Sequence, residues 1–536
     1  MKKLVSRLMA VLMAMTMILS MSMTAFAAEA SKGTLTVNNT VAGKTLDLYQ
    51  IFTATKNGDN VAYTLNSAYE GFFQSKITDA SKLTGEALSE KAYAYVKDQV
   101  GTDGSNGAAF AKDIMGWILG NTATVEATHT TATTADTTTV INNLDYGYYV
   151  VYPLGATDTS TAPGNETVKS VASLVSVTGT DATVNMKSNY PTVVKKVNEK
   201  NADDVNIGDT VTYTLTSKVP DMTGYTSYVF NFKDTLSAGL TFKEITSVTV
   251  GDTTITKVDA GQEANNTYTL TQGGQNITIT MNNFLDSNKN NTGKEIKVTY
   301  TATLNKDAVT GFDANKNSAT VEYSNKPGTD NKGESEPSIV DVHTFNFTIF
   351  KYYLKGADKT GLANAEFELY KANAEGTAAD TNAKINIVKV KDGEYRQATS
   401  EETAAGGFKS DVIVSGTDGK VLVKGLDAGT YYLRETKAPE GYNKLLSDIK
   451  VEIKATYGEN EKLVSYTVDY TYNGNKTTGT AITDKDNSPE VAVENKTGAQ
   501  LPSTGSKGAL MVTLAGIVLF GALTASKAFG KKKANN

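Results

Sequence analysis

Cysteine is absent from the 536 residues of this chain, and histidine is nearly so, with only His129 and His343. Without cysteine there is no disulfide, the crosslink that commonly stabilises exported proteins. Two histidines without cysteine cannot assemble a Cys/His metal site, so we expect no metal and no other cofactor. Any internal crosslink in this chain must therefore use different chemistry.

Arginine is also scarce: it supplies three of the 52 basic residues, and the lysines form no cluster between the two ends of the chain. Nucleic acids are usually held by dense basic patches that are rich in arginine. The net charge of -6 is mild for a chain of this length. These features argue against nucleic acid as a partner.

The first 27 residues have the pattern of a secretory signal peptide. Three basic residues precede an apolar run over residues 8–23, and the A-x-A cleavage site Ala25-Phe26-Ala27 follows. A membrane anchor is the alternative, but the run is short and ends in small residues. We therefore expect export and a mature chain that begins at Ala28.

Three features follow one another near the C-terminus. Leu501-Pro502-Ser503-Thr504-Gly505 comes first, an apolar stretch over residues 509–525 follows, and three lysines come after it. The stretch is near the lower length limit for a membrane span, and the lysines would keep its end in the cytoplasm. A plain tail anchor is the alternative interpretation.

This order of features resembles the LPxTG sorting signal of Gram-positive surface proteins. The resemblance implies that a sortase cysteine attacks the peptide bond between Thr504 and Gly505. Thr504 would then be passed to an amine, either of a peptidoglycan precursor or of a lysine side chain. The pentapeptide lies immediately outside the apolar stretch, which favours the sorting signal over a plain anchor.

The body of the chain predicts β-structure. Between residues 31 and 496, short apolar/polar alternations such as those at 211–215 and 277–281 are separated by turn residues. Helical periodicity is confined largely to the first third. Two helix faces are expected there: Leu88, Ala92, Tyr95 and Val96 on one, and Phe110, Ile114, Trp117 and Ile118 on the other. We predict a mainly β chain of tandem Ig-like sandwiches with a few helices inserted in the N-terminal domain.

Two polar segments that contain proline, at residues 188–191 and 325–337, divide this body. They predict three domains of a size that can hold separate cores. The predicted order is a signal peptide (1–27), an N-terminal domain (28–188), a middle sandwich (189–342), a third sandwich (343–497), and a sorting signal with membrane span and basic tail (498–536).

The third domain carries a recognisable motif. Residues 431–442 resemble the E-box of Cna-B-type pilin domains of Gram-positive pilins, and residues 361–370 resemble the early part of that fold. In that family a buried lysine on the first strand condenses with an asparagine on the last strand. A carboxylic acid between them catalyses the step, ammonia leaves, and an isopeptide bond remains.

Strand parity identifies the candidates, because residues two apart face the same side of a strand. Three polar residues each continue an apolar face: Lys351 after Phe345, Phe347 and Ile349, Glu435 after Tyr431 and Leu433, and Asn495 after Val491 and Val493. A lone buried lysine or glutamate is costly, so three in one core suggest a shared purpose. Burial favours the neutral amine and the neutral acid, which makes Lys351 the nucleophile, Asn495 the acceptor and Glu435 the acid. Strand-end residues in ordinary salt bridges are the alternative.

The second domain resembles the middle isopeptide-forming domain of backbone pilins. Three polar residues again continue apolar faces: Lys195 between Val193 and Val197, Asp234 after Phe230 and Phe232, and Asn317 before Ala319, Val321 and Tyr323. We assign Lys195 as nucleophile, Asp234 as acid and Asn317 as acceptor. Lys196 is the alternative nucleophile, but it falls on the face of Val194. In the first domain, residues 145–151 resemble an E-box strand without its glutamate, and no triad is assigned.

Each internal bond is expected to join the first strand of a domain to its last, so that a pulling force passes through covalent links. A polymer also needs an acceptor lysine, which in the family lies in a motif that ends Tyr-Pro-Lys at the end of the first domain. Here residues 184–193 lack the tryptophan of that motif, and no lysine follows Pro191. Lys187 is the lysine at this boundary and is assigned as the intermolecular acceptor. A solvated surface lysine is the alternative.

The resemblance implies a structural shaft subunit of a cell-surface pilus, secreted and anchored to the wall of a Gram-positive bacterium. Its partners would be a sortase, other copies of the chain and peptidoglycan, with ancillary pilins and host-surface ligands as further ones. A monomeric wall-anchored adhesin built from the same domains is the alternative, although no inserted ligand-binding domain is evident. We expect no enzyme beyond autocatalytic isopeptide formation, because no Ser/His/Asp set or catalytic carboxylate pair is recognisable.

Overall fold

The structure is a computed structural model that describes residues 31–101, 106–135, 137–157, 171–186 and 189–498. The predicted signal peptide, Lys187, the sorting signal and the predicted span at 509–525 lie outside these residues. Within the described ranges, no helix is both long and apolar enough to cross a membrane.

The first unit (residues 31–186) combines two sheets with three helices. Its strands are β1 (Lys32–Thr40), β2 (Leu46–Asn57), β3 (Asn60–Leu65), β4 (His129–Thr130), β5 (Thr137–Asp145), β6 (Gly147–Pro153), β7 (Ser173–Val177) and β8 (Ala182–Asn185). Its helices are α1 (Glu70–Lys76), α2 (Gly85–Val100) and α3 (Gly107–Gly120), preceded by a 3-10 turn at Ser67–Tyr69. One sheet has the order β5-β1-β8, and the other has the order β3-β2-β6-β7 with β4 beside β2.

The helix faces expected from periodicity are the faces that pack on the core of this unit. Leu88, Ala92 and Val96 of α2 are buried, as are Phe110, Ile114 and Ile118 of α3. Tyr95 and Trp117 are half-buried against the same core. The prediction of helices inserted in the N-terminal part of a β-protein is confirmed.

The second unit (residues 189–343) is a sandwich of two sheets. Its strands are β9 (Val194–Val197), β10 (Ala202–Asp204), β11 (Thr210–Lys218), β12 (Phe230–Leu236), β13 (Leu240–Val250), β14 (Thr253–Thr254), β15 (Thr256–Lys257), β16 (Thr267–Gly273), β17 (Asn276–Met281), β18 (Glu295–Leu304), β19 (Asn315–Ser324), β20 (Lys332–Glu334) and β21 (Ser338–His343), with one short helix, α4 (Phe284–Asn288). One sheet has the order β14-β13-β18-β11-β9, and the facing sheet has the order β10-β21-β19-β12-β17-β16-β15 with β20 beside β19.

The third unit (residues 344–498) is a second sandwich. Its strands are β22 (Phe345–Lys355), β23 (Asp358–Gly361), β24 (Glu366–Ala372), β25 (Ala379–Lys384), β26 (Ile387–Lys391), β27 (Glu394–Gln397), β28 (Ile413–Val414), β29 (Lys420–Leu426), β30 (Gly429–Lys437), β31 (Ile449–Tyr457), β32 (Leu463–Tyr472), β33 (Asn475–Thr477) and β34 (Glu490–Glu494), with α5 (Ser400–Ala404) and a 3-10 turn at Glu459–Glu461. One sheet is β23-β22-β29-β27-β26 with β34 beside β22, and the other is β25-β24-β30-β31-β32-β33 with β28 beside β24.

Alternation of apolar and polar residues builds both sandwiches, because one face of each strand is removed from water and the other is not. Every second residue of β22 from Phe345 to Lys351 is buried, and the same holds for β19 from Asn315 to Tyr323. The two sandwiches have separate apolar cores. The predicted fold class, a mainly β chain of tandem sandwiches, is confirmed.

The second and third units meet along the segment that follows β10. The Ile207 amide donates to the Gly425 carbonyl at 3.0 Å, and Asp204 accepts from the Ala428 amide at 2.8 Å and from the Tyr457 hydroxyl at 2.6 Å. Gly425 has a φ of +90°, and a Cβ there would lie 2.7 Å from the Ile207 side chain. Glycine is therefore required where the two units are closest.

Candidate functional site

Two clusters of buried polar side chains lie in the cores of the second and third units. In the second unit, Lys195 is the buried member of the Lys195–Lys196 pair. Lys196 points to the other face of β9, where its ammonium group donates to Asn201 at 2.7 Å and keeps about a third of its surface exposed. The alternation of β9 therefore brings Lys195, and not Lys196, into the sandwich.

Lys195 meets its predicted partners between the two sheets. Its Nζ forms a fully buried ion pair with Oδ2 of Asp234. Asp234 lies on β12 and Asn317 on the neighbouring β19, both in the sheet that faces β9. All three side chains are at most 2 % exposed. The lysine thus comes from one sheet, and the acid and the asparagine come from the other.

Tyr300 of β18 connects these three residues. Its hydroxyl accepts from Lys195 Nζ at 2.8 Å and from Asn317 Nδ2 at 2.7 Å, and it donates to Asp234 Oδ2 at 2.7 Å. Tyr300 was not predicted from the sequence, because this tyrosine lies in an ordinary apolar/polar alternation of β18. Its only signal is a hydroxyl on a core-facing position, which needs a partner once it is buried.

Burial sets the charge state in this cluster. It lowers the pKa of Lys195 to about 8, although the charge of Asp234 opposes the shift. Burial also raises the pKa of Tyr300 well above its ordinary value. The aromatic rings of Tyr213 and Tyr300 stack, with Lys195 Nζ 4.9 and 5.1 Å from their centroids. A neutral amine is therefore accessible at mildly basic pH beside a neutral phenol.

The third unit brings its own three predicted residues together. Lys351 Nζ lies 3.0 Å from Oε1 of Glu435, and both side chains are fully buried. Asn495, which directly follows β34, directs its Nδ2 to the Asn443 carbonyl at 2.6 Å and lies 3.4 Å from Glu435 Oε2. The same Glu435 oxygen accepts from the Leu445 amide at 2.7 Å. Burial lowers the pKa of Lys351 to about 8 against the opposing charge of Glu435.

The strands position the two clusters differently. β22 and β34 are parallel neighbours in one sheet, so Lys351 and Asn495 come from adjacent strands, and Glu435 of β30 faces them from the other sheet. The expectation that the reacting strands are the first and the last of the domain fits β22 and β34. It is wrong for the second unit, because β20 and β21 follow β19, and β21 pairs with it at Asn317.

Several buried polar atoms of these clusters have no hydrogen-bond partner in the described part of the chain. They are Asp234 Oδ1, Asn317 Oδ1 and Asn495 Oδ1, while Lys351 Nζ and Glu435 Oε1 have only the ion pair with each other. Each unsatisfied buried group costs about 1–3 kcal/mol. Both clusters are therefore poor noncovalent networks, yet each contains an amine of lowered pKa, a carboxamide and a carboxyl group, the parts that an amine–amide condensation needs.

No comparable set lies in the described part of the first unit, where no lysine is buried. Its fully buried carboxyl group, Asp47, accepts from the Thr130 hydroxyl at 2.6 Å and lies 3.5 Å from Nζ of Lys326 in the second unit. No group of three or more His, Asp or Glu residues in the described ranges is placed to hold a metal. Lys187 and the Leu501–Gly505 segment lie outside those ranges.

Two segments of the chain match known families of protein domains. Residues 207–327 match the family of Gram-positive pilin backbone subunit 2, Cna-B-like domains, and residues 351–466 match the SpaA family of prealbumin-like fold domains. The two matched segments contain most of the two sandwiches.

Two curated relatives each match about half of this chain. The trypsin-resistant surface T6 protein of Streptococcus pyogenes serotype M6 is 27% identical over 57% of this chain and 52% of its own length. Fimbrial subunit type 2 of Actinomyces naeslundii is 29% identical over 49% of this chain and 50% of its own length. The chain thus spans about half the length of each of these relatives.

Solved structures with a similar fold include the T6 backbone pilin of serotype M6 Streptococcus pyogenes, with 17% identity and a TM-score of 0.46 over 88% of this chain and 100% of that one. BcpA, the major pilin subunit of Bacillus cereus, has 16% identity and a TM-score of 0.36 over 87% of this chain and 100% of that one. The family matches therefore assign a Cna-B-like domain of Gram-positive pilin backbone subunits to residues 207–327 and a prealbumin-like domain to residues 351–466.

Proposed function

We propose that this chain is a structural shaft subunit of a Gram-positive cell-surface pilus. A sortase joins Thr504 of one copy to a lysine of the next, and intramolecular Lys–Asn isopeptide bonds stabilise the second and third units. The observation that carries the proposal is the pair of buried clusters, Lys195/Asp234/Asn317 and Lys351/Glu435/Asn495, in domains of backbone-pilin type.

In each cluster the neutral lysine amine attacks the side-chain carbonyl carbon of the asparagine, and the carboxylic acid assists. The new C–N bond replaces the C–N bond of the carboxamide, and ammonia leaves. This reaction occurs once per site and consumes the buried amine, so the product no longer holds an ionisable lysine in the core. A covalent link between strands far apart in sequence also suits a fibre that is pulled along its length.

At the C-terminus, the proposed sortase attacks the carbonyl of Thr504 and releases Gly505 with the rest of the tail. The acyl group then passes to the amine of Lys187 of another copy, or to peptidoglycan for the last subunit of the fibre. Ancillary pilins and host-surface ligands are further proposed partners. A monomeric wall-anchored adhesin uses the same two ends but makes no polymer.

The test is an SDS gel of boiled cell-wall extract, probed for this protein, from cells that carry the wild-type chain, Lys187→Ala, Thr504→Ala or the control Lys306→Ala. Lys306 is an exposed lysine of the second unit. We expect a ladder for wild type and Lys306→Ala, and no ladder for the other two variants. A single wall-linked wild-type species would reject the shaft in favour of the adhesin. A ladder that survives Lys187→Ala would reject only the assignment of the acceptor.

A further inference from the structure

Tyr300 stands between the acid and the leaving group of the second-unit cluster. Asn317 Nδ2, the nitrogen that must depart as ammonia, donates to Tyr300 Oη at 2.7 Å, and Tyr300 Oη in turn donates to Asp234 Oδ2 at 2.7 Å. Asp234 itself makes no hydrogen bond to Asn317 among the described residues. The acid therefore reaches the leaving nitrogen only through the phenol.

The third unit has a different arrangement. There Asn495 Nδ2 lies 3.4 Å from Glu435 Oε2, so the carboxyl group is itself within reach of the leaving nitrogen. No tyrosine hydroxyl is hydrogen-bonded to Lys351, Glu435 or Asn495 in the described structure. Only the second-unit cluster needs an intermediary.

We propose that Tyr300 is a catalytic residue that relays the proton from Asp234 to the departing nitrogen of Asn317. This role deepens the proposed function, because it presupposes that Lys195 and Asn317 form an isopeptide bond. A phenol hydroxyl has one hydrogen to donate and two lone pairs to accept with, and Tyr300 uses all three in the unreacted cluster. It touches every group whose proton must move.

The proposed steps conserve protons and leave the phenol of Tyr300 unchanged at the end. Lys195 Nζ, as the neutral amine, forms a bond to Cγ of Asn317, which becomes tetrahedral, and Nδ2 changes from an amide nitrogen into a basic amine. The hydroxyl of Tyr300 can then rotate and give its proton to Nδ2 while its oxygen takes the proton held at Asp234 Oδ2. The Cγ–Nδ2 bond breaks, ammonia leaves, and the proton that Nζ sheds returns to Asp234.

The surroundings keep Tyr300 suited to this task. The phenol is almost fully buried and its pKa is raised by burial, so it remains a neutral donor and acceptor through the reaction. Its ring is fixed by stacking on Tyr213, with centroids 5.1 Å apart. Tyr323 of β19 is equally buried, but its hydroxyl accepts from Lys44 Nζ at 3.2 Å and makes no hydrogen bond to Lys195, Asp234 or Asn317 among the described residues. Tyr323→Phe is therefore a matched control for the loss of one buried hydroxyl.

The experiment follows bond formation in the full-length chain as it is made. Wild type, Tyr300→Phe and Tyr323→Phe are synthesised in a cell-free translation system, and samples are quenched in denaturant at successive times. After digestion, mass spectrometry quantifies the peptide pair that joins Lys195 to Asn317 and the pair that joins Lys351 to Asn495. The rate at which the third-unit bond forms serves as an internal reference in every sample.

We expect Tyr300→Phe to slow the second-unit bond by about 100-fold or more relative to the third-unit bond, which is the usual contribution of general acid–base catalysis. Tyr323→Phe should leave the ratio of the two rates near that of wild type. An unchanged ratio in Tyr300→Phe, or an equal slowing in both variants, would overturn the relay. If wild type forms neither bond, the proposed crosslinking fails, and the relay fails with it.

Folding of the variant is checked by hydrogen exchange of β18. If Tyr300→Phe loses protection there, 3-fluorotyrosine is incorporated at position 300 instead, because it keeps the ring and the hydroxyl but lowers the pKa of the phenol. A changed ratio of the two rates would then support the relay, and an unchanged ratio would reject it.

Discussion

Lys351 Nζ lies 3.0 Å from Glu435 Oε1, and both side chains are fully buried in the core of the third unit. A buried ion pair gains little net stability, because the desolvation of both charges offsets their attraction. The short distance has a different use if the pair precedes the proposed condensation, because Glu435 then lies beside both the amine of Lys351 and the amide of Asn495.

Glu435→Gln should abolish the third-unit bond while it preserves the shape of the side chain. Intact mass should then reveal one fewer loss of ammonia, about 17 Da, than in wild type. Because the bond closes a loop of more than about 100 residues, its absence should lower the free energy of unfolding by roughly 4–5 kcal/mol in the chain-entropy model. The midpoint of urea unfolding measures this difference.

Glu368→Gln is the matched control for that substitution. Glu368 lies in the same unit and pairs with Lys384 at 2.6 Å near the surface. It should keep the linked peptide and change stability by no more than about 1 kcal/mol, as exposed ion pairs do. A Glu435→Gln chain that still yields the Lys351–Asn495 peptide would contradict the assignment of the acid.

The two adjacent lysines of β9 should behave oppositely. Lys195→Met keeps an apolar side chain of similar length in the core and removes the nucleophile, so the second-unit bond should be lost. Lys196→Met removes a half-exposed group that contacts Asn201, and the bond should still form. Peptide mapping of both variants decides between the lysines, and a linked peptide that persists in Lys195→Met but is lost in Lys196→Met would reverse the assignment.

Alternation in the sequence was sufficient to identify the inward residues, because one buried face fixes the parity of a whole strand. Lys351, Glu435 and Asn495 each continue a face that the structure buries. Parity does not say which faces meet. Tyr300 and Tyr213 occupy equivalent positions in their strands, and only the packing of the two sheets directs the Tyr300 hydroxyl to Lys195, Asp234 and Asn317.

The pairing of strands that are distant in sequence was likewise not predicted. The sequence predicts β19 as the last strand of its domain, but β21 continues that sheet beyond it. Helix faces were accessible because i, i+3 and i+4 contacts are local, whereas the order of strands in a sheet depends on residues far apart in sequence. The contacts of Asp204 with Ala428 and Tyr457 across the second and third units had no sequence signal for the same reason.

The pH dependence of unfolding should differ between wild type and Asn317→Ala. In Asn317→Ala no second-unit bond can form, so Lys195 keeps a titratable amine whose pKa is lowered by burial to about 8, against 10.5 for an unperturbed lysine. Between these values the unfolded chain binds more protons than the folded chain, so stability rises with pH. This contribution of Lys195 to stability should be largest above pH 10.5 and should fall as the pH decreases towards 8.

The slope in that window should approach about 1.4 kcal/mol per pH unit, the value for one proton. In wild type the proposed bond converts the amine of Lys195 into an amide that does not titrate, so the difference between the two chains gives the contribution of Lys195. Urea unfolding at pH 7.5, 8.5 and 9.5 measures it. Parallel curves would mean either that wild type forms no bond at Lys195 or that burial does not lower the pKa of this lysine in Asn317→Ala.

Asp204→Ala should loosen the contact between the second and third units. It leaves the Ala428 amide and the Tyr457 hydroxyl without their acceptor, which costs about 1–3 kcal/mol for such groups when they are shielded from water. Hydrogen exchange at Ala428 should accelerate in consequence. Asp203→Ala is the control, because among the described residues the Asp203 side chain accepts hydrogen bonds only from Asn198 and Lys200 of its own unit, at 2.8 and 2.9 Å. Equal exchange at Ala428 in the two variants would show that Asp204 does not hold the units together.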